Sequence, residues 1–199
     1  MKKTLIVVGV ILVIVFILYR FFVGTYNNLV ERDVQVQTAW SQVENVYQRR
    51  LDLIPNLVST VKEAADFEKS TLTAVIEARA NATQVKIDPK NLTAEQMTKF
   101  QEAQGQLGSA LGRLMVVVEQ YPQLKANQNF LELQSQLEGT ENRINVARQD
   151  YNKAVEGMNL KVKRFPGNIL ASIFGFSEKA FYEADKGSEK NPDIKFDIK

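Results

Sequence analysis

The chain has 199 residues, of which 45% are hydrophobic and 24% are charged, an ordinary balance for one globular domain. It contains no cysteine and no histidine, which excludes disulfides, cysteine zinc sites, thiol nucleophiles and any serine–histidine–aspartate triad within the chain. The formal net charge is +2 and the sequence has no concentrated basic block, so we expect no nucleic-acid partner.

An uncharged apolar run near the N-terminus predicts a membrane-spanning helix. Residues 5–19 read LIVVGVILVIVFILY, and Phe21, Phe22 and Val23 extend the run to about 20 residues. A cleaved signal peptide is the alternative, but bulky residues stand where small ones should precede a cleavage site. We therefore expect an anchor over residues 1–24. Its flanking positive charges favour a cytoplasmic N-terminus, which would place the large domain outside the cytoplasm.

From about residue 25 to residue 160, apolar residues recur at steps of three and four, which predicts four amphipathic helices. We place them at residues 25–53, 56–83, 93–120 and 126–160. Pro55 suits the first turn of a new helix, although it could instead kink one very long helix. The Asp88-Pro89 pair indicates a turn, and Thr93 then resembles an N-cap with Gln96 three residues on. Pro122 ends the third segment, because a residue before proline avoids the helical region.

The predicted core is one apolar stripe on each helix. It comprises Leu29, Val36, Trp40, Val43, Tyr47, Ile54, Val61, Ala65, Leu72, Val75, Met97, Phe100, Leu107, Leu111, Leu114, Val118, Phe130, Leu133, Leu137, Ile144, Ala147, Tyr151, Ala154 and Met158. Asp33, Arg50, Glu68 and Arg79 interrupt the stripes and could form buried ion pairs that fix register.

Nearly equal helix lengths and short connections predict an all-α protein, an antiparallel up-and-down four-helix bundle over residues 25–160 with coiled-coil-like packing. The rod would be about 40 Å long at the helical rise per residue. Four antiparallel helices return the chain to its starting end, so we expect residues 161–199 to lie beside the bilayer.

The third domain, residues 161–199, begins with basic residues and continues with FPGNILASIFGF at residues 165–176. This apolar stretch is too short to span a bilayer. It could cap the open end of the bundle, lie at the membrane interface or dock a partner. The candidate residues are Phe165, Pro166, Ile169, Leu170, Ile173, Phe174 and Phe176. The polar tail alternates at period two over residues 193–199, so it could be disordered or add as a strand to a partner.

Three glycines lie close together in the third helix. Gly105, Gly108 and Gly112 each cost up to about 1 kcal/mol of helix stability relative to alanine. Close approach of a neighbouring helix in the same chain would offset that loss. Self-association through the small residues is the alternative.

Long motifs in a fixed order make the chain resemble the LemA family of bacterial membrane proteins. They occupy residues 26–62, 77–80, 121–152 and 165–176. Motif positions that match are Trp40, Arg49, Arg50, Asp52, Pro55, Asn56, Glu119, Tyr121, Pro122, Glu138, Glu141, Asn142, Arg143, Arg148, Tyr151, Asn152, Phe165 and Pro166. The resemblance implies a single N-terminal span, an antiparallel helical bundle and a place in the bacterial inner membrane. It brings no defined activity, but by analogy suggests work near membrane proteases and envelope-stress proteins.

We therefore expect a non-enzymatic, membrane-anchored scaffold or interaction protein of the cell envelope that forms homo-oligomers. An adaptor that regulates a membrane protease or an envelope-stress pathway is the alternative. Candidate residues for fixing register or binding a partner are Arg50, Asp52, Glu141, Arg143 and Arg148. No catalytic, cofactor or metal residues are predicted, because no nucleophile–base pair or metal-ligand set can be assembled.

Overall fold

A computed structural model describes residues 2–63, 67–89 and 92–183, and these residues contain helices and no strand. Ala65 and the alternating tail lie outside the described residues. The helices are α1 (Lys2–Lys62), α2 (Lys69–Gln84), α3 (Ala94–Val118), α4 (Pro122–Lys125), α5 (Gln128–Lys163) and α6 (Gly167–Phe174). The prediction of an all-α protein is confirmed.

The first helix does not break at proline. α1 contains 61 residues, with Pro55 inside it, and is therefore about 90 Å long. The predicted boundary between residues 53 and 56 is wrong, and the alternative of one long helix is correct. Two causes act together. Ile54, Leu57 and Val58 are all buried, so the apolar stripe continues across the proline. The carbonyl of Leu51, which Pro55 leaves without a helical donor, accepts a hydrogen bond from Arg79.

The remaining helix boundaries follow from this long α1. α2 has 16 residues instead of the expected span of residues 56–83, because the chain turns only after Lys62. α3 begins as predicted, with Thr93 and Gln96 forming a reciprocal capping box. α3 ends at Val118, and Pro122 begins the short α4 at a position where its missing N–H costs nothing.

The four long helices run up, down, up and down. At the end distant from the N-terminus, Val61, Phe67, Val118 and Phe130 share one core cluster. Nearer to the N-terminus, a second cluster unites α1, the start of α3 and the last half of α5, for example through Trp40. α1 and α3 therefore run in one direction, and α2 and α5 in the other. α5 contains 36 residues, so the bundle is about 54 Å long and exceeds the predicted 40 Å.

Aromatic side chains fill the core cluster nearer to the N-terminus. The ring centroid of Trp40 lies 5.3 Å from that of Phe100 and 5.4 Å from that of Tyr151, both edge to face. Such pairs add about 0.5–1.5 kcal/mol beyond the area that they bury. The predicted stripe residues within the described part are buried, except that Leu133 and Ala154 are partly exposed. Glu68, expected on the stripe, is exposed.

After α5 the chain lies next to the first turns of α1 beyond the apolar run. Leu170 and Ala171 of α6 pack against Leu29, and Tyr26 contacts the rings of Phe174 and Phe176. The residues of α6 thus return to the end of the bundle from which the apolar run extends, as four antiparallel helices predict; that residues 161–199 lie beside a bilayer stays a prediction. Beyond α6, residues 177–183 (the C-terminal segment) follow an extended path along α1 and α5.

Candidate functional site

The apolar start of α1 has no protein neighbours in the described structure. Every residue from Lys2 to Gly24 is exposed, although Leu5 to Tyr19 are almost all large apolar side chains. By length and composition this part of α1 can cross a membrane. The same helix continues without a break into the bundle core at Leu29.

α6 presents a second apolar surface at the same end. Phe165, Ile169, Ile173 and Phe174, which we call the α6 face, are exposed, with 79% of Phe165 and 66% of Ile173 accessible. The opposite side of α6 packs on α1 through Leu170. One side of α6 thus caps this end of the bundle, and the other side, which is also apolar, stays exposed. Isolated exposed apolar residues are common, but a contiguous group marks a membrane or protein contact.

Glycines shape the entry to and exit from α6. A Cβ at Gly167 would stand 2.7 Å from the backbone oxygen of Lys161, so only glycine allows the turn between α5 and α6 to close. Gly175 ends α6 with a φ of 76°, in the left-handed region that favours glycine, and its N–H bonds the carbonyl of Ala171. These two positions fix how the α6 face is held beside α1.

Arg50 joins three helices in the middle of the bundle. Only 4% of this residue is accessible. Its Nη1 donates to Oε2 of Glu141 on α5 at 3.2 Å, and its Nη2 donates to the side-chain and backbone oxygens of Gln104 on α3. The Arg50 guanidinium also lies 4.9 Å from the Tyr47 ring centre. The predicted register residues Arg50 and Glu141 are thus brought together.

Arg148, another predicted register residue, binds the same tyrosine from α5. Its Nε donates to the Tyr47 hydroxyl at 2.8 Å, and its guanidinium lies 4.4 Å from the ring centre of Tyr182. The hydroxyls of Tyr47 and Tyr182 are 2.7 Å apart. Because Tyr182 belongs to the C-terminal segment, this cluster ties that segment to both α1 and α5.

Asp52 and Arg143 are placed differently. Asp52 is exposed and accepts a hydrogen bond from Gln48 of its own helix at 2.7 Å, so it joins no two elements. Arg143 is exposed on the outer side of the α1–α5 pair. It lines a surface groove of about 460 Å³ together with Gln42, Asn45 and exposed Val146.

Two asparagines of α5 hold the main chain of the C-terminal segment. Asn159 donates to the carbonyl of Lys179 at 2.9 Å and accepts from the N–H of the same residue at 2.8 Å. Asn152 makes the same two bonds with Tyr182, at 2.9 and 2.8 Å. We call this asparagine pair the clamp. Each amide satisfies both backbone groups of one residue, as a neighbouring β-strand would.

Further contacts from α1 and α5 side chains also hold the C-terminal segment in place. Nζ of Lys179 lies 2.9 Å from Oδ1 of Asp33, and both side chains are mostly buried, with 8% and 20% accessible. Asp33 was expected to pair within the bundle; its partner is in the C-terminal segment instead. The Tyr151 hydroxyl donates to the carbonyl of Ala180 at 2.7 Å. Burial raises the pKa of this hydroxyl, so it remains a donor at physiological pH.

The helix-three glycines do not pack closely within the chain. Among the described residues, nothing would lie within 4 Å of a Cβ at Gly105, Gly108 or Gly112. The expectation of close approach inside the bundle is therefore wrong, because α2 and α5 contact the other sides of α3 through residues such as Leu107. Gly105 and Gly108 instead line an open groove of about 540 Å³, the glycine groove, together with Arg50, Glu141 and Arg148.

The polar side chains of this region mainly connect elements of the fold. Within the described residues, no group of three or more acidic side chains is placed to hold a metal ion. Burial raises the pKa of partly buried Glu44 on α1, and a polar contact with the Trp40 side chain opposes this effect. The polar cluster around Tyr47 instead joins α1, α3, α5 and the C-terminal segment.

The clamp was not predicted from the sequence, although Asn152 is one of the matching family positions. Asn152 and Asn159 are seven residues apart and so share one face of α5. Polar residues on a helix usually indicate a solvent-exposed surface. Lys179 and Tyr182, three residues apart, follow no helical period and gave no sign of burial. The sequence did contain one indication of the clamp: two asparagines seven residues apart on the side of α5 that faces the core.

Comparison with known proteins agrees with this architecture. A sequence model of the LemA family matches residues 39–196. Magnetosome protein MamQ 2 of Paramagnetospirillum magneticum is 31% identical over 196 residues, which cover 90% of this chain and 71% of the relative. Magnetosome protein MamQ of Magnetospirillum gryphiswaldense is 28% identical, covering 79% of this chain and 64% of the relative. Protein LemA of Metamycoplasma hominis is 25% identical, covering 85% and 74%.

These relatives and the exposed apolar start of α1 describe a membrane-associated helical protein. The family match extends over all the bundle helices except the first part of α1, and it includes the cluster around Tyr47 and the clamp. The chain belongs to the LemA family.

Proposed function

We propose that this protein is a membrane-anchored helical scaffold of the bacterial cell envelope that associates with copies of itself and has no catalytic activity of its own. The continuity of α1 carries the proposal. One helix of 61 residues contains both the apolar run and the part of α1 that packs against α5 along the bundle. A rod fixed rigidly to its membrane span suits the display of contact surfaces at a set height above the bilayer.

The α6 face supplies a second contact with the membrane in this proposal. It lies beside Tyr26, immediately after the apolar run, and follows the exposed basic residues Lys161, Lys163 and Arg164. Aromatic side chains favour the interfacial zone, and basic residues are attracted to anionic headgroups. Two attachments, the span and α6, would fix the tilt of the rod. The chain crosses the membrane once, and its flanking charges support an extracytoplasmic bundle.

The glycine groove is the surface that we assign to self-association. Its glycines expose helix backbone, which allows a second helix to approach closely. Arg50, Glu141 and Arg148 contribute charged groups of both signs to its walls. A surface that carries both positive and negative charge can pair with a symmetry-related copy of itself, as a two-fold interface requires.

The test uses two differently tagged full-length copies expressed together, crosslinked in native membranes and purified through one tag. We expect both tags in the product. Changing Gly105 and Gly108 to alanine should weaken this association, yet raise the folded stability of each copy by up to about 1 kcal/mol per site. Gly139→Ala in α5, where a Cβ also meets nothing within 4 Å among the described residues, is the matched control and should leave association unchanged. Recovery of monomers only would contradict the proposal.

A second candidate function, an adaptor for a membrane protease or an envelope-stress protein, is favoured by the groove around Arg143. Val146 is 57% exposed between polar side chains on the outer side of the α1–α5 pair. A mainly polar surface with one apolar anchor suits a transient partner.

Arg143→Glu combined with Val146→Asp tests this function. The pair should abolish co-purification of a membrane protease with the tagged protein and change the level of that protease's substrates in cells. Arg113→Glu, an exposed change on α3, should alter neither. Unchanged substrate levels after deletion of the whole protein would remove this candidate.

A further inference from the structure

The C-terminal segment lies in a site built to bind an extended peptide. Asn152 and Asn159 are two helical turns apart, about 10 Å along α5. The residues that they bind, Tyr182 and Lys179, are three residues apart, which is also about 10 Å in extended backbone. The two spacings therefore match, and the segment runs antiparallel to α5.

Main-chain and side-chain contacts have separate roles in this site. The four clamp bonds go to backbone N–H and C=O groups, so they accept any extended segment in the correct register. Asp33 then selects a cation where Lys179 lies. Tyr47 and Arg148 select an aromatic hydroxyl three residues later. The site thus recognises an extended peptide with lysine and tyrosine at positions one and four.

The link between α6 and the clamp is held at Phe176, which is partly buried and packs against Tyr26. On either side of it Gly175, Ser177 and Glu178 are exposed, and the ion pair from Glu178 to Lys163, at 2.8 Å, is itself solvent-exposed. Exposed ion pairs contribute about 0–1 kcal/mol. Residues 175–179 can span about 13 Å when extended, which exceeds the separation of about 10 Å between packed helices. Once Phe176 leaves its contacts, the segment can therefore reach a bundle that packs directly against its own, without unfolding α6.

We propose that this site also binds the C-terminal segment of a second copy, so that neighbouring copies in one membrane exchange residues 177–183. The inference rests on the self-association proposed above. A second copy carries the same lysine and tyrosine at the same spacing, so exchange reproduces every contact without new chemistry. Anchors in one bilayer hold the copies in the same orientation and raise their effective concentration.

Charge reversal separates exchange from closure within one chain. Asp33→Lys and Lys179→Asp each remove the ion pair in copies of one kind. When the two variants are expressed together with different tags, exchange restores the pair at both sites of a mixed dimer and at neither site of a uniform dimer. We expect mixed dimers to exceed uniform ones by about a hundredfold, the ratio for two charge-assisted contacts of about 1.4 kcal/mol each. The chain that carries both reversals should associate like the wild type.

The outcomes distinguish the two proposals. If wild-type copies co-purify but the mixed variants show no preference for each other, the segment stays in its own site, and self-association stands without exchange. If wild-type copies do not co-purify, the proposed scaffold function itself fails.

A second measurement does not depend on the folding of the charge variants. A photoreactive benzoylphenylalanine in place of Phe181, which is 45% exposed, should crosslink to α1 or α5 peptides. Exchange predicts these crosslinks in a product of twice the chain mass. Crosslinks confined to the single-chain product would overturn the inference.

Discussion

The Nε of Arg79 donates a hydrogen bond to the carbonyl oxygen of Leu51 at 2.9 Å, across the gap between α2 and α1. Leu51 lies four residues before Pro55, so its carbonyl is the one that proline leaves without a helical donor. Arg79 therefore replaces the missing bond from outside the helix. This contact explains how α1 continues through a proline. It also connects α2 to the part of α1 that lacks one helical hydrogen bond.

The first prediction concerns this replacement. Arg79→Met should destabilise the bundle by about 1.5–3 kcal/mol, the range for a hydrogen bond from a charged donor. In a Pro55→Ala background the loss should be smaller, because the restored N–H of residue 55 can bond Leu51 within the helix. Urea unfolding of the four chains of this double-mutant cycle measures the coupling. Equal losses in both backgrounds would show that Arg79 does not compensate for the proline.

The second prediction concerns the clamp. Asn159→Ala removes two hydrogen bonds and leaves the buried backbone groups of Lys179 without these partners, so stability should fall by about 1–3 kcal/mol. The C-terminal segment should also become accessible to proteases before the bundle does. Asn142→Ala, an exposed asparagine on the same helix, serves as control and should change neither property. A segment that stays protected in Asn159→Ala would show that the side-chain contacts alone hold it.

The third prediction concerns pH. Burial raises the pKa of Glu44 above its ordinary value of 4.5, so the folded state binds the proton more tightly than the unfolded chain. The resulting stabilisation is complete below pH 4.5 and is lost as pH rises through the raised pKa.

Glu44→Gln should consequently raise the melting temperature at about pH 7 and leave it nearly unchanged at about pH 4. The gain should stay below about 1 kcal/mol, because the carboxyl is partly solvated and screened. Thermal melts of both chains across this range provide the measurement. A gain of the same size at both pH values would indicate an effect other than ionisation.

Much of the bundle could be predicted because its determinants are local. Thr93 and Gln96 form the predicted capping box, and Trp40 lies in the core where its three-and-four spacing placed it. Proline at position 55 could not be interpreted locally, because the donor that replaces its hydrogen bond is Arg79, 28 residues after the acceptor Leu51. The helical period alone gives no information on such a partner.

The site was predicted less completely, for a similar reason. Arg50 and Glu141 were selected as polar residues that could fix register, since charges near an apolar stripe need partners, and the two side chains form an ion pair. The role of Asn159 depends on an extended segment, and extended chain that binds a helix has no sequence period. Gly105 was expected to pack closely against another helix of the chain, but whether a glycine faces a neighbour or open space depends on which side of α3 the bundle covers.

The proposed scaffold requires that α1 spans the membrane and that α6 meets its surface. The chain has no cysteine, so Leu12→Cys, Ile173→Cys and Val116→Cys each accept one nitroxide label in the full-length protein. In lipid vesicles, collision with dissolved oxygen and with a water-soluble nickel chelate measures the depth of each label. We predict that residue 12 lies in the hydrocarbon core, residue 173 at headgroup depth and residue 116 in water. A label at residue 173 as accessible to nickel as the label at residue 116, or a water-accessible label at residue 12, would contradict the account.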